Sequence, residues 1–265
     1  MMQYFRLTRA RNLFLLLAVV SIACNKAKHE HHEVEKAQGF KSIFDGKTLN
    51  GWEGDPAFWR VENGILIGEI VPERIPQHNS FIIWQGGRPG DFELQFEYRI
   101  NPEGNSGINY RSVRIDTLPY ALSGYQFDID GQNHYTGQNY EEKKRTTLAY
   151  HGQKVLVHSA PDSLRSEPLH ANIKGNAWQS IELTGLLGDP DYLNTFIKHK
   201  DWNTGHLIVM GHRMQHYVNG VLMSEVTDND VINRTLDGWI GVQVHTGRPM
   251  KIELRNIRLK ETAMD

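Results

Sequence analysis

Three stretches of the chain alternate large apolar residues with groups that do chemistry. In Gly124-Tyr-Gln-Phe-Asp-Ile-Asp130 a strand would turn Tyr125, Phe127 and Ile129 to one face and Gln126, Asp128 and Asp130 to the other. In Trp239-Ile-Gly-Val-Gln-Val-His245 the apolar set is Ile240, Val242 and Val244, which leaves Gln243 and His245 opposite. In Asn105-Ser-Gly-Ile-Asn-Tyr-Arg111, Ile108 and Tyr110 face inward while Asn109 and Arg111 face outward. A merely solvated face is usually lysine, glutamate and threonine. Amides and carboxylates instead exchange bidentate hydrogen bonds with adjacent hydroxyls, as on a sugar. Histidine changes charge near neutrality, and two carboxylates two residues apart on one strand face could raise one pKa. The same face could also be plain polar surface. On pattern alone it reads as a ligand groove that grips hydroxyls.

Such faces need strands to hold them, and the rest of the chain supplies strand signals. Asn-Gly pairs at 50–51, 63–64 and 219–220 and Asp-Gly pairs at 45–46, 130–131 and 237–238 tolerate the positive φ of tight hairpins. Met214–Val218 and Val221–Val226, joined by Asn219-Gly220, form the clearest hairpin, and 92–100 alternates throughout. A helix is expected after Asp189-Pro190, with Tyr192, Leu193, Phe196 and Ile197 on one face. Many short strands without a βαβ rhythm predict an all-β fold: a two-sheet antiparallel β-sandwich or jelly roll with one or two short helices. Residues 39–262 show no repeat or linker and read as a single domain. Lysine and arginine total 29 against 31 acids, so nothing favours nucleic acid. No Gly-x-Gly-x-x-Gly follows a strand, so no NAD is expected in this chain.

The N-terminus reads as a targeting segment. Arg6, Arg9 and Arg11 precede an apolar run from Leu13 to Val20, which is too short to span a bilayer. Cys24, the only cysteine, stands where a lipoprotein signal places its lipidated residue, so 1–23 is read as a signal peptide. Residues 24–38, polar and charged, read as a flexible tether. The expected location is outside the cytoplasm, lipid-anchored at the outer membrane and facing the periplasm.

Several strings, in order, carry a resemblance. They are Phe44-Asp-Gly-Lys-Thr-Leu-Asn-Gly-Trp52, Trp59-Arg-Val-Glu-Asn-Gly64, Phe92-Glu-Leu94, Asn105-Ser-Gly-Ile108 with Arg111, and Gly124 to Asp130. Further along come Thr136-Gly, Tyr140-Glu-Glu142, Arg145, Trp202-Asn203, His216-Tyr-Val-Asn-Gly220, Gly241 to His245, and Arg255-Asn-Ile257. As a set they resemble the 3-keto-disaccharide hydrolase domain family over essentially all of 39–262. The resemblance implies a concanavalin A-like sandwich acting on glycosides already oxidised to a ketone at sugar carbon 3, after a partner glycoside 3-oxidoreductase. It implies Asp128, Glu142 and His245 as acid and base groups and Arg111 and Arg145 as electrophiles. Asn105, Asn109, Gln126, Asp130, Tyr140 and Gln243 would hold hydroxyls. A divalent cation such as calcium could replace an arginine, using Asp128, Asp130, Glu142 or His245 as ligands. The residues also fit a paired-carboxylate glycosidase or a non-catalytic carbohydrate-binding module.

Overall fold

A computed structural model describes residues 39–164 and 166–262. The chain divides into two units, Met1–Lys41 and Ser42–Asp265, and the second carries every strand from β2 onward and the candidate site. The signal segment 1–23, Cys24 and the 24–38 tether lie outside the described residues.

The strands run β1 (Lys41–Ser42), β2 (Trp52–Glu53), β3 (Trp59–Glu62), β4 (Ile65–Ile70), β5 (Ser80–Trp84), β6 (Phe92–Ile100) and β7 (Asn105–Arg114). They continue β8 (Leu122–Asp130), β9 (Asn139–Glu142), β10 (Thr146–Ala149), β11 (Gln153–Val157), β12 (Ile173–Lys174), β13 (Ala177–Trp178) and β14 (Ile181–Leu186). After the helix α1 (Pro190–Asn194) come β15 (Asn203–Met210), β16 (Arg213–Val218), β17 (Val221–Asp228), β18 (Trp239–Val244) and β19 (Met250–Glu261). One sheet has the order β14-β11-β17-β16-β15-β6-β19-β4-β3, and the other β12-β13-β10-β9-β8-β7-β18-β5-β2. Together they make the expected sandwich. The expectation of wholly antiparallel sheets needs one correction: β11 pairs with β17, and β10 with β13, in parallel. Around residues 150–152 the chain leaves one sheet for the other, so β11 enters beside β17 running the same way.

The two sheets bury their outer faces differently, and this locates the site. Along β6, Phe92, Leu94, Phe96, Tyr98 and Ile100 are buried while the residues between them are half-exposed. That is the pattern of a sheet with one face on the core and one in water. Along β8 nearly every residue is buried, polar ones included. The core face of β8 carries Tyr125, Phe127 and Ile129, which belong to the same core cluster as Ile240, Val242 and Val244 of β18, each aliphatic side chain contributing about 1.5–3 kcal/mol. Its other face is therefore covered, and it carries Gln126 and Asp128.

The local signals act as their chemistry requires. Asn219 and Gly220 have φ of 49° and 80°, the left-handed pair that closes the β16–β17 hairpin. Asp189 caps α1, its carboxylate accepting from the Asp191 and Tyr192 N–H groups. Leu193 and Ile197 are buried as expected, but Tyr192 is exposed, because α1 ends at Asn194 before a second turn can hold a stripe. Trp52 is a core residue whose Nε1–H donates to the Ile43 carbonyl. Trp202 lies on the outer face between the guanidinium groups of Arg99 and Arg255, 5.0 and 4.0 Å from its ring centre.

Candidate functional site

A cavity of about 450 Å³ opens on the polar face of the β9-β8-β7-β18 sheet. Asn105, Gln126, Asp128, Tyr140, Glu142 and His245 line it, joined by Tyr135, Gln138, Thr147, Tyr150, Gly175 and Asn176. Its floor is one hydrogen-bonded chain. Gln126 Nε2 donates to Asp128 Oδ1 at 2.6 Å, and Gln138 Nε2 donates to Asp128 Oδ2. Gln243 Nε2 donates to Gln126 Oε1 at 3.2 Å and lies 3.5 Å from Glu142 Oε2. Asn79 Nδ2 donates to Glu142 Oε1 at 3.1 Å. Glu142 on β9 thus reaches Gln243 on β18 and Asn79 beside β5, although β8 and β7 intervene. Only a sheet curled into a trough brings those strands so close.

Gly107 makes the floor possible. It pairs with Asp128 across β7 and β8, and a Cβ at this position would stand 2.6 Å from the Gln126 side-chain amide carbon. The absence of a side chain lets Gln126 lie across β7 towards Gln243.

Burial sets the proton chemistry. It pushes Asp128 up to about 7; Gln138 and Gln126 pull the other way, while the charges of Glu142 and Asp130 add to the rise. Burial likewise raises Glu142 above the usual carboxylate range, against the opposing pull of its Asn79 hydrogen bond. Tyr140 is pushed up to about 12, by burial first and then by Glu142 and Asp128, so its hydroxyl stays a neutral donor. His245 Nδ1 lies 2.8 Å from the Thr246 carbonyl oxygen. An oxygen that only accepts fixes the proton on Nδ1 and leaves Nε2 as the exchanging nitrogen. The Thr246 N–H donates to Asn79 Oδ1 at 3.1 Å, so Asn79 ties Glu142 to the segment that carries His245.

Four expected site residues are placed elsewhere. Arg111 has φ of 45° at an irregularity in the β7–β8 register, so its side chain leaves the outward face that alternation assigns it. Its guanidinium is buried, donating to the Gly90 and Gly211 carbonyls and to Asp91. Arg145 is buried against Glu141, Asp228 and Asp230 at 2.6, 2.6 and 3.1 Å. Neither arginine is among the groups lining the cavity. Asp130 turns to its own loop, accepting from the His134, Tyr135 and Thr136 N–H groups. Asn109 is fully buried and donates to Ser112 Oγ. Gln243 is buried in the floor, donating to other side chains. Among the described residues no group of three or more His, Cys, Asp or Glu side chains is arranged to hold a metal ion.

Gln138 and Asn79, which hold Asp128 and Glu142, are missing from the sequence reading, as are Tyr135, Tyr150 and Asn176 of the cavity lining. Gln138 had a signal: Gln138, Tyr140 and Glu142 alternate in 136–142 as the other trough residues do. Asn139 and Glu141 between them are polar too, so no apolar partner marked the core side. Asn79 precedes the buried run of β5 with nothing in its type to distinguish it from a turn residue.

Residues 39–260 match the 3-keto-alpha-glucoside-1,2-lyase-like domain family. A 3-keto-disaccharide hydrolase from Bacteroides thetaiotaomicron is 31% identical over 115 residues, 37% of this chain and 39% of that protein. The chain therefore matches well under half the length of that curated relative. A candidate glycosyl hydrolase from Parabacteroides distasonis superimposes with a TM-score of 0.53 at 17% identity, over 87% of this chain and 97% of that one. A Bacillus subtilis protein of unknown function with a galectin-like fold reaches 0.50 at 11% identity, over 82% of this chain and 92% of its own. At these identities the two structures share the sandwich fold.

Proposed function

Because this chain belongs to the 3-keto-alpha-glucoside-1,2-lyase-like domain family, we propose that its trough cleaves glycosides bearing a ketone at sugar carbon 3. The observation that carries this reading is Asp128, a buried carboxylate pushed up to about 7 on the cavity that also holds Glu142 and His245. A general base works best when its pKa lies near the operating pH. The ketone acidifies the hydrogen on carbon 2, and ionised Asp128 takes that proton. The electron pair forms the carbon 1–carbon 2 double bond as the carbon 1–oxygen bond breaks, and protonated His245 gives its Nε2 proton to the departing oxygen. Water then adds at carbon 1, its proton passing by way of Glu142 to the now neutral His245, while carbon 2 recovers a proton from Asp128. The sum is a hydrolysis. With both arginines engaged elsewhere, the neutral Tyr140 hydroxyl is the donor to the enolate oxygen, and Asn105 and Asn176 hold sugar hydroxyls.

The test is turnover by the purified full-length chain on 3-keto-glucosides and on the matching unoxidised glycosides. Release of the leaving group from keto substrates alone is expected, falling about 100-fold or more in Asp128→Asn and in His245→Ala. Parallel runs with chelator and with added calcium read whether a cation at Asp128, Glu142 and His245 takes part. The amides and tyrosines of the cavity also suit a carbohydrate-binding module. Saturable sugar binding with no turnover supports that second reading instead.

The N-terminal residues support a location for this activity: the outer membrane, facing the periplasm, with a lipid on Cys24 and a glycoside 3-oxidoreductase nearby to supply the ketone. Membrane fractionation of the full chain against Cys24→Ser tests the anchor, the variant being expected in the soluble fraction.

A further inference from the structure

The mouth of the trough carries aromatic surface that the elimination chemistry leaves unused. Tyr135 and Tyr150 line the same cavity as Asp128 and His245 and are 47% and 42% exposed, whereas Tyr98, Tyr110 and Tyr125 are buried. One exposed ring would call for no explanation. Here two rings on separate turns share one cavity, and each turn is locked by its own hydrogen bonds.

Tyr135 sits on the 131–138 loop, which Asp130 pins through the N–H groups of His134, Tyr135 and Thr136 at 3.1, 2.9 and 3.0 Å. The Gln138 N–H closes the same loop onto the Tyr135 carbonyl at 2.9 Å. Tyr150 opens a turn that Gln153 fastens twice: the Tyr150 N–H donates to Gln153 Oε1 at 3.0 Å, and the Gln153 N–H to the Tyr150 carbonyl at 3.1 Å. With the backbone fixed, only the side-chain torsions of each ring remain to be ordered. Preorganised tyrosines of this kind provide contact area at low entropic cost.

Aromatic faces pair with the apolar C–H face of a pyranose or with another aromatic ring. If carbons 1 and 2 of the reacting sugar meet Asp128 and His245, the group beyond the leaving oxygen falls within the remainder of the same cavity, which Tyr135 and Tyr150 line. We infer that Tyr135 and Tyr150 form a subsite for a cyclic leaving group, a second sugar ring or an aryl ring, and select such glycosides over those with a small alkyl leaving group. This deepens the reading of the trough as a keto-glycoside site and rests on it. Asp130 acts as a positioning residue, through the loop that bears Tyr135.

The experiment compares kcat/KM of the full chain on 3-keto-glucosides carrying glucosyl, phenyl or methyl leaving groups. The wild type is expected to prefer the glucosyl substrate over the methyl one. Tyr135→Ala and Tyr150→Ala should each reduce that preference about tenfold, while Tyr135→Phe and Tyr150→Phe keep it, since the ring face does the work. Asp130→Ala should act in the direction of Tyr135→Ala, and through KM more than kcat. A preference unchanged in the alanine variants, or an equal loss on every substrate, overturns the inference. Calorimetric titration of the same proteins with unoxidised disaccharide and monosaccharide separates this failure from that of the reaction itself. If the wild type turns over no keto substrate yet binds the disaccharide more tightly, and the alanine variants lose that difference, the subsite stands and the catalytic reading falls. If the wild type binds neither sugar and turns over nothing, both are overturned.

Discussion

A carboxylate that accepts two amide N–H bonds is ordinarily held ionised, and Asp128 accepts one on each oxygen, from Gln126 and Gln138. It is nonetheless pushed up to about 7, because burial outweighs both donors. Below the ordinary value of 3.8 the group is protonated in folded and unfolded chains alike, and its burial carries no charge penalty. As pH rises from there through about 7 the unfolded chain has given up its proton and the folded one surrenders it at growing cost, so stability contributed by this site is lost across that window. Activity runs the other way, since the base must be ionised: kcat/KM should climb through pH values near 7. Removing a donor to the ionised form exposes the coupling. Gln138→Ala should move the acidic limb to higher pH, lowering kcat/KM roughly threefold to tenfold at pH 6.5 while approaching the wild-type value in alkali. A pH–rate profile of variant and wild type decides it. An unmoved limb would assign that limb to a group other than Asp128.

At the scale of strands, what could be read from the chain depended on whether one face of each element was apolar. In β6, β8 and β18 it was, and alternation separated the core residues from the others, Asp130 at the end of β8 excepted; the Asn-Gly hairpin and the Asp189-capped helix were equally plain. In β9 both faces are polar: Glu142 faces the trough while Asn139 donates to the Tyr110 hydroxyl and Glu141 pairs with Arg145 inside. Period two has no meaning without a contrast between faces, so only resemblance pointed to Glu142. Arg111 was misplaced because one irregularity in register, with a positive φ, turns every later assumption about facing. Asp130 was misplaced because a carboxylate at a strand end serves its own loop as readily as a ligand. The close packing of the floor gives a strand-scale prediction. Gly107→Ala places a methyl group 2.6 Å from the Gln126 amide carbon, and that flexible side chain yields more easily than backbone. The fold should therefore persist, with stability altered by roughly 1 kcal/mol or less, while displacement of Gln126 from Asp128 reduces kcat at least tenfold. Thermal melts beside turnover would show it, and a parallel loss of both would mean the strand itself had moved.

The whole molecule is joined behind the trough by a charge cluster. Arg145 lies in the turn between β9 and β10, in the sheet that carries the site, whereas Asp228 ends β17 in the opposite sheet. All its guanidinium nitrogens are engaged: Nε and Nη2 with Glu141, Nη1 and Nη2 with Asp228, and Nη1 with Asp230. Tyr125, on the core face of β8, donates its hydroxyl to Asp228 Oδ2. The cluster therefore fastens β9, and with it Glu142, to the far sheet, and it makes Arg145 an anchor of the site's scaffold. Deleting one member of a buried ion cluster leaves its partners charged and unpaired, a cost of about 3–5 kcal/mol. Arg145→Met should thus lower the melting temperature by roughly 6–20 °C for a domain of this size. Replacing Glu141 and Asp228 by leucine and asparagine in the same chain removes much of the uncompensated charge and should recover part of that loss. If the cluster serves only stability, the residual folded fraction of Arg145→Met will keep a wild-type pH–rate profile. If it also sets the position of β9, the profile will change shape, because Glu142 raises Asp128 and any displacement weakens that influence. Melting curves and the pH–rate profile, measured on the same preparation below the transition, distinguish the two.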